Sequence, residues 1–332
     1  MQAVMLVGGL GTRLRPLTFR LPKPLVPVMG KPLMMHVIES LPEQVDELII
    51  PVGYKREMME AYLANQELPV KVTIVDEPEP LGTGGAVKNV EHLIRKDDTF
   101  LVLNGDIIAS VDLNEFVKFH KSKKAIASIT LWEVEDPTPF GVAQLDADGR
   151  IMRFQEKPTK EEAFSRLVNA GAYALEPEVL DEIGPGFVSM ERTVFPKLLD
   201  RGMYGFTFKG YWADCGTREG VIAAHVELIR KFGSYVAESA STISTDFISP
   251  FCVEPDCRLI KATIGPGSYI GKGCVVLDDS EIVNSVLLPG ARVDRYCRLE
   301  NCIVDENYRV PTNTSVRDMI LAEIPVDENE ED

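Results

Sequence analysis

Apolar residues at Ile264, Ile270, Val276, Ile282 and Leu288 recur every six positions, and Val293, Leu299, Val304 and Val310 continue the step after small slips. A helix of 3.6 residues per turn does not bring such positions onto one face, and a strand of period two would show its apolar residues at every second position rather than every sixth. A six-residue step does so when the chain turns a corner after each short strand, because three sides then close one coil and each coil stacks its apolar positions on the next. Gly265, Pro266 and Gly271 punctuate the turns. Residues 247–320 are therefore expected to form a short left-handed parallel β-helix.

Upstream of residue 232 the pattern is different. Apolar runs at 47–51, 70–75, 99–103, 125–132 and 205–208 read as strands. Helical spacing fits 34–41, 56–65, 85–93, 113–120 and 218–231, with Thr217 placed to cap the last of these. Alternation of this kind belongs to α/β folds, here a Rossmann-like, mostly parallel sheet in which ligands sit beyond the carboxyl ends of the strands. The expected organisation is an α/β domain over 1–232, a linker over 233–246, the β-helix over 247–320 and an acidic tail over 321–332.

The formal net charge is -16, yet the first 38 residues hold Arg13, Arg15, Arg20, Lys23 and Lys31 and no Asp or Glu. The apolar run Ala3 to Val7 leads directly into Gly8-Gly9-Leu10-Gly11-Thr12-Arg13. Glycines let backbone N–H groups approach an anion, and arginine adds a planar fork suited to phosphate oxygens. A P-loop is excluded because Arg13-Leu14 stands where Lys-Ser/Thr is required, and the dinucleotide fingerprint fails because Leu14 replaces its third glycine. Lys23 lies between Pro22 and Pro24, so its backbone is stiff. These residues outline a polyphosphate site.

Other classes are disfavoured. So acidic a chain does not suit sequence-independent nucleic-acid binding. No apolar stretch reaches the length of a membrane span and no signal-like segment opens the chain, so a cytoplasmic location is expected. Six cysteines, with no Cys-x2-Cys pair, read as small buried hydrophobes rather than zinc ligands. Acyltransferases with a β-helix usually employ a histidine there, whereas His36, His92, His120 and His225 all precede the repeats. The β-helix is thus expected to serve structure or homo-oligomerisation, and truncation after Lys231 to leave the active site intact.

The run Gly8 to Thr18 and the segment Pro22-Lys23-Pro24-Leu25-Val26-Pro27 together resemble the signature of the sugar-1-phosphate nucleotidyltransferases, the nucleotide-sugar pyrophosphorylases. Within that family the wording is most similar to the GDP-mannose pyrophosphorylase branch. The resemblance implies attack of a sugar 1-phosphate oxygen on the α-phosphorus of a nucleoside triphosphate, with release of pyrophosphate. Those two substrates, rather than nucleic acid or membrane, are the expected partners. Uridylyl, thymidylyl, adenylyl and heptose-phosphate guanylyl transfer stay open, as does a non-catalytic regulatory subunit. Such a subunit should have lost Arg13, Lys23, Asp106, Lys157 or Asp214, and all five are present.

Site residues follow from the same resemblance. Leu6, Gly8, Gly9, Gly11, Thr12, Arg13 and Lys23 would hold the nucleotide, with Glu77, Gly82 and Asn104. Guanine presents N1–H and N2–H side by side, which a carboxylate at Glu77 accepts together, so guanine is favoured. Gly141, Glu156, Lys157, Asn169, Gly171 and Glu191 would bind the sugar phosphate, Lys157 neutralising its charge. Arg13, Lys23 and Lys157 carry the catalytic charge. Asp106, after the strand-like run Thr99 to Leu103, and Asp214, in Gly210 to Thr217, would share one Mg²⁺, an ion content with few protein ligands.

Overall fold

A computed structural model describes residues 1–324; the part of the expected acidic tail from 325 to 332 lies outside the described residues. The chain forms two compact units that do not follow chain order: Met1–Gly9 with Met34–Trp212, and Leu10–Leu33 with the described residues from Ala213 onward. The segment carrying Gly11, Arg13 and Lys23 therefore belongs to the same unit as the β-helix.

The first unit is built on a nine-stranded mixed sheet. Its parallel centre runs Lys71–Asp76, Glu47–Val52, Gln2–Leu6 and Phe100–Asn104, all buried apolar runs except the first, which lies at the edge. Beyond Phe100–Asn104 the sheet turns antiparallel through Leu167–Leu175, then Gly141–Leu145 and Ile151–Glu156. Ala127–Glu133 also pairs Leu167–Leu175, and Met203–Thr207 lies parallel to it. A core including Val4, Ile49, Phe100, Val102, Ile129, Tyr173, Leu175 and Phe195 fills the space under the sheet. Expected helices are present at Leu33–Glu39, Arg56–Leu63, Gly82–Asn89 and Leu113–Lys123. The third starts three residues before the pattern predicts, because Gly84 and Gly85 donate to Val188 O at 2.8 and 3.1 Å and so hold a glycine-rich first turn.

In the second unit, helix Arg218–Phe232 is capped by Thr217, whose hydroxyl accepts from Gly220 N at 3.1 Å. The β-helix follows as three parallel sheets of six, five and five strands. Most strand partners lie 17 residues apart, as in Tyr235 with Cys252, Tyr269 with Val286 and Arg292 with Arg309, whereas Ile264 and Ile282 are 18 apart. Three six-residue sides need 18, so a 17-residue coil has one shorter side, and this produces the slips in the repeat. Corners carry left-handed residues at a matching spacing: Gly267, Asn284, Asn301 and Asp318 all have positive φ. Glycine, Asn and Asp tolerate that conformation best. The first coil begins at Tyr235–Val236, inside the stretch expected as a linker. Its strands Ser241–Ile243 and Asp246–Phe247 are mostly exposed, so polar residues hide the period there.

All six cysteines are buried and unlinked, and burial pushes the thiols of Cys252 and Cys257 up to about 12 and about 11. Among the described residues no helix is long and apolar enough to cross a membrane.

Candidate active site

In the first unit the expected residues gather at the carboxyl ends of the central strands. Gly105 N–H donates to Leu6 O at 2.8 Å, which ties the turn bearing Asn104 and Asp106 to the end of the first strand. Only glycine fits at 105, since a Cβ there would lie 2.8 Å from Val7 Cγ1 and 3.1 Å from Leu6 O. Gly8 follows that strand, and a Cβ on it would stand 3.7 Å from Glu77 Oε1. The nucleotide loop and the proposed base reader are thus neighbours.

Glu77 is only 7% exposed. Its Oε1 accepts from Leu81 N at 3.1 Å, while Oε2 has no hydrogen-bond partner among the described residues. Burial raises its carboxyl above the usual range, and the bond from Leu81 N–H offsets this only in part. A buried carboxylate oxygen without a donor is unfavourable unless a ligand supplies one. Asn104 Oδ1 is likewise buried without a partner, beside Gly171, where a Cβ would come within 2.9 Å of Asn104 Nδ2. By contrast, the amides of Gly84 and Gly85 are occupied by Val188 O, so these glycines serve close packing.

The sugar-side residues form a connected network. Glu191 Oε2 accepts from Thr83 Oγ1 and Ser189 Oγ, each at 2.7 Å, and Oε1 accepts from Tyr173 OH at 3.2 Å. Asn169 Nδ2 donates to Tyr173 OH at 2.9 Å, and its Oδ1 accepts from Gly171 N at 3.0 Å. Tyr173 is wholly buried, and burial together with Glu191 raises its phenol. Glu156 pairs with Gly141 across the sheet, and a Cβ at 141 would lie 2.7 Å from Glu156 Oε2. Its carboxyl is raised by burial and then by the charge of Glu191, with Lys157 and Arg192 opposing. Lys157 itself holds a left-handed backbone, φ 49°, with its N–H on Phe140 O at 2.9 Å. Lys55, Lys124 and Lys261 share that backbone, so it fixes the entry of Lys157 without by itself marking a role.

Thr83 and Tyr173 were not singled out from sequence. Thr83 links the glycine segment to Glu191, and it also accepts from Met190 N at 2.9 Å. The partners of Thr83 lie 107 and 108 positions away and leave no local pattern to read.

In the second unit, three charged side chains converge on one glycine. A Cβ at Gly216 would lie 2.8 Å from Arg13 Nη2, 2.8 Å from Asp214 Oδ1 and 3.1 Å from Lys23 Nζ. Gly216 N–H donates to Asp214 Oδ1 at 2.8 Å and orients that carboxylate. Gly11, with φ 65°, starts the turn Thr12–Leu14 that carries Arg13; Thr18 Oγ1 donates back to Gly11 O at 2.9 Å. Lys23 opens the turn Lys23–Leu25, with Pro24 and Leu25 buried beneath it. The arrangement suits binding of phosphate oxygens and of a cation at Asp214. Among the described residues no group of three or more His, Cys, Asp or Glu side chains is placed to hold a metal.

The signature of the nucleotidyl transferase family matches residues 2–231, and that of the GlmU-like C-terminal hexapeptide matches residues 238–318. The chain belongs to the nucleotidyl transferase family. Among particular relatives it is 35% identical over 305 residues to a mannose-1-phosphate guanylyltransferase of Mycobacterium tuberculosis, covering 90% of this chain and 82% of that protein. Among solved structures it resembles a glucose-1-phosphate thymidylyltransferase, described as putative, from Bacillus anthracis, with TM-score 0.62 and 28% identity over 68% of this chain and 94% of that one. HddC of Yersinia pseudotuberculosis, solved with GMP-PN, gives TM-score 0.57 and 30% identity over 70% of this chain and 99% of its own.

Proposed function

We propose that this protein transfers the guanylyl group of GTP to mannose 1-phosphate, giving GDP-mannose and pyrophosphate. The observation that carries the base is Glu77 Oε2, buried beside Gly8 with no partner among the described residues. Guanine's two adjacent donors would satisfy both oxygens of that carboxylate. The names of the curated relatives support mannose as the sugar, and the nucleotide in the HddC structure supports the base.

In this reading Arg13 and Lys23 bind the triphosphate and stabilise the charge that develops as pyrophosphate leaves. Lys157 holds the sugar phosphate, while Glu156, together with Asn169 and Glu191, which are fixed through Tyr173 and Thr83, accept from or donate to sugar hydroxyls. Their work is positioning and charge neutralisation, since phosphoryl-group chemistry needs little covalent help from protein. Asp106 and Asp214 are the residues that would hold Mg²⁺, which when bound screens the phosphate charge. We further place residues 1–232 as the transferase domain, take the protein as cytoplasmic, and assign homo-oligomerisation to the β-helix. Pyrophosphate release across five nucleoside triphosphates and a panel of sugar 1-phosphates tests the reaction. GTP with mannose 1-phosphate should give the highest kcat/KM; a preference for UTP, dTTP or ATP would overturn the base.

A further inference from the structure

None of the four histidines lies in the β-helix, yet it grips the segment that supplies Arg13 and Lys23. Arg20 closes the short helix Leu17–Arg20, three residues before Lys23. It forks onto Asp305 of the β-helix, Nη2 to Oδ1 at 2.7 Å and Nε to Oδ2 at 3.2 Å, and its Nη1 reaches Glu306 Oε2 at 3.0 Å. Asp305 is 5% exposed, and its Oδ1 also accepts from Glu306 N at 2.8 Å, so the acceptor is rigid. The bond to Asp305 raises the guanidinium of Arg20 further, against the cost of burial.

Two more contacts hold the far end of the same segment. His225 Nδ1 lies 2.9 Å from Val221 O, which can only accept, so that nitrogen carries the proton. Nε2 is then the acceptor for Met29 N–H, at 3.1 Å. The ring of His225 packs on Tyr269 of the β-helix, with centroids 4.7 Å apart, and a Cβ at Gly30 would stand 3.4 Å from the Tyr269 hydroxyl. Before these anchors the segment closes on itself through Thr18 and Gly11. Lys23 thus lies between two points fastened to solenoid and helix, and Arg13 sits on the closed turn that leads directly into the first of them.

We propose that the β-helix is a working part of the nucleotide site, and that Arg20, held by Asp305 and Glu306, is a positioning residue that sets where Arg13 and Lys23 stand. The proposal rests on the nucleotidyl-transfer reading of that loop. It replaces the expectation that the transferase chemistry is indifferent to the solenoid. A bidentate Arg–carboxylate pair fixes orientation as well as distance, which a lysine at the same position cannot do.

The test uses the full-length chain with Arg20→Ala, Arg20→Lys, Asp305→Asn and the double variant Arg20→Ala/Asp305→Asn. Steady-state kinetics are read beside backbone hydrogen exchange. The KM for GTP should rise about tenfold in Arg20→Ala, with the KM for mannose 1-phosphate changed by less than about twofold. Arg20→Lys should fall between wild type and Arg20→Ala. Asp305→Asn should move in the same direction, and the double variant should be no worse than Arg20→Ala alone. Exchange across residues 10–33 should accelerate while the strand Phe100–Asn104 keeps its protection. Unchanged exchange over 10–33 with an unchanged GTP KM in Arg20→Ala and Asp305→Asn would overturn the proposal, as would equal rises in both KM values. Should the wild-type protein use no nucleoside triphosphate, the reaction reading fails, and the exchange result alone decides whether the solenoid fixes the loop.

Discussion

The sheet unit and the β-helix manage buried polar groups in opposite ways. In the solenoid, Ser268, Ser280 and Ser285 are buried and each hydroxyl donates to a backbone carbonyl, at 2.9, 2.8 and 2.7 Å. The last two also accept from Cys297 N and Cys302 N. In the sheet unit, Glu77 Oε2 and Asn104 Oδ1 are left without partners among the described residues. Buried polar atoms are normally satisfied, and departures mark places where something other than stability has shaped the chain. The solenoid serines are satisfied within the solenoid, and the sheet unit leaves two acceptors open near its strand ends; the other such atom among the described residues, Arg218 Nε, lies on the helix that precedes the solenoid.

That contrast is broken most decisively at the two motif carboxylates. Asp106→Asn and Asp214→Asn keep volume and remove charge, so kcat should fall by about 10²- to 10³-fold, the scale of losing one electrostatic stabiliser. Circular dichroism should show folded protein, and pyrophosphate release gives the rate. Near-normal turnover in both variants would remove the two residues from the chemistry. A smaller effect is expected at Glu77. Glu77→Gln should lower the ratio of kcat/KM for GTP over UTP by about ten- to a hundredfold, since the amide turns a donor toward guanine's donors.

The same variant tests the unsatisfied oxygen in the free protein. Because the folded-state carboxyl is raised above its ordinary 4.5, ionisation costs stability as pH climbs through that value toward the folded one. At pH 7 Glu77→Gln should therefore unfold at the same or a higher temperature than wild type. Near pH 4, where wild type is protonated in both states, this advantage should vanish. A variant that loses both selectivity and stability at neutral pH would mean that Glu77 holds the fold rather than the base.

Much of the site was legible because its motifs follow strand ends directly, as with Ala3 to Gly11 and Thr99 to Asp106. The repeat was legible because every coil repeats the same corner. What sequence did not yield is the antiparallel side of the sheet. Gly141–Leu145 and Leu167–Leu175 contain Gly141, Ala143, Ala170, Gly171, Ala172 and Ala174, residues of low strand preference that burial and pairing override. Nor could the link from Arg20 to Asp305 be read, since 285 positions separate them. Gly84 and Gly85, beside the expected nucleotide residue Gly82, show nothing in the sequence of their actual pairing, with both amides on Val188 O.

A further comparison separates the two lysines, one in each unit. Lys157→Ala should raise the equilibrium constant for sugar 1-phosphate dissociation by about tenfold with little change for nucleotide, and Lys23→Ala should do the reverse. Calorimetry with each ligand alone checks this. Identical losses for both ligands in both variants would contradict the division.

The smallest expected effect on catalysis, and the sharpest control, lies at Asp294 in the β-helix. This aspartate is 5% exposed and accepts from Arg292 Nε at 2.9 Å and Arg309 Nε at 2.7 Å. Burial alone would raise its carboxyl, but the bonds to Arg309 and Arg292 together outweigh that and hold it below the ordinary 3.8. A depressed carboxylate stabilises the fold above its unfolded-state pKa and loses that contribution as pH falls through the folded value. Asp294→Asn should therefore cost about 1–2 kcal/mol at pH 7, modest because both arginines are largely exposed, and the gap from wild type should close below about pH 4. Nucleotide and sugar-phosphate KM should stay within about twofold, because Asp294 pairs within the solenoid and not with the loop that Arg20 anchors. If this variant instead weakens GTP binding as Arg20→Ala is expected to do, the solenoid acts on the site through its general stability, and the specific fork onto Asp305 loses its claim.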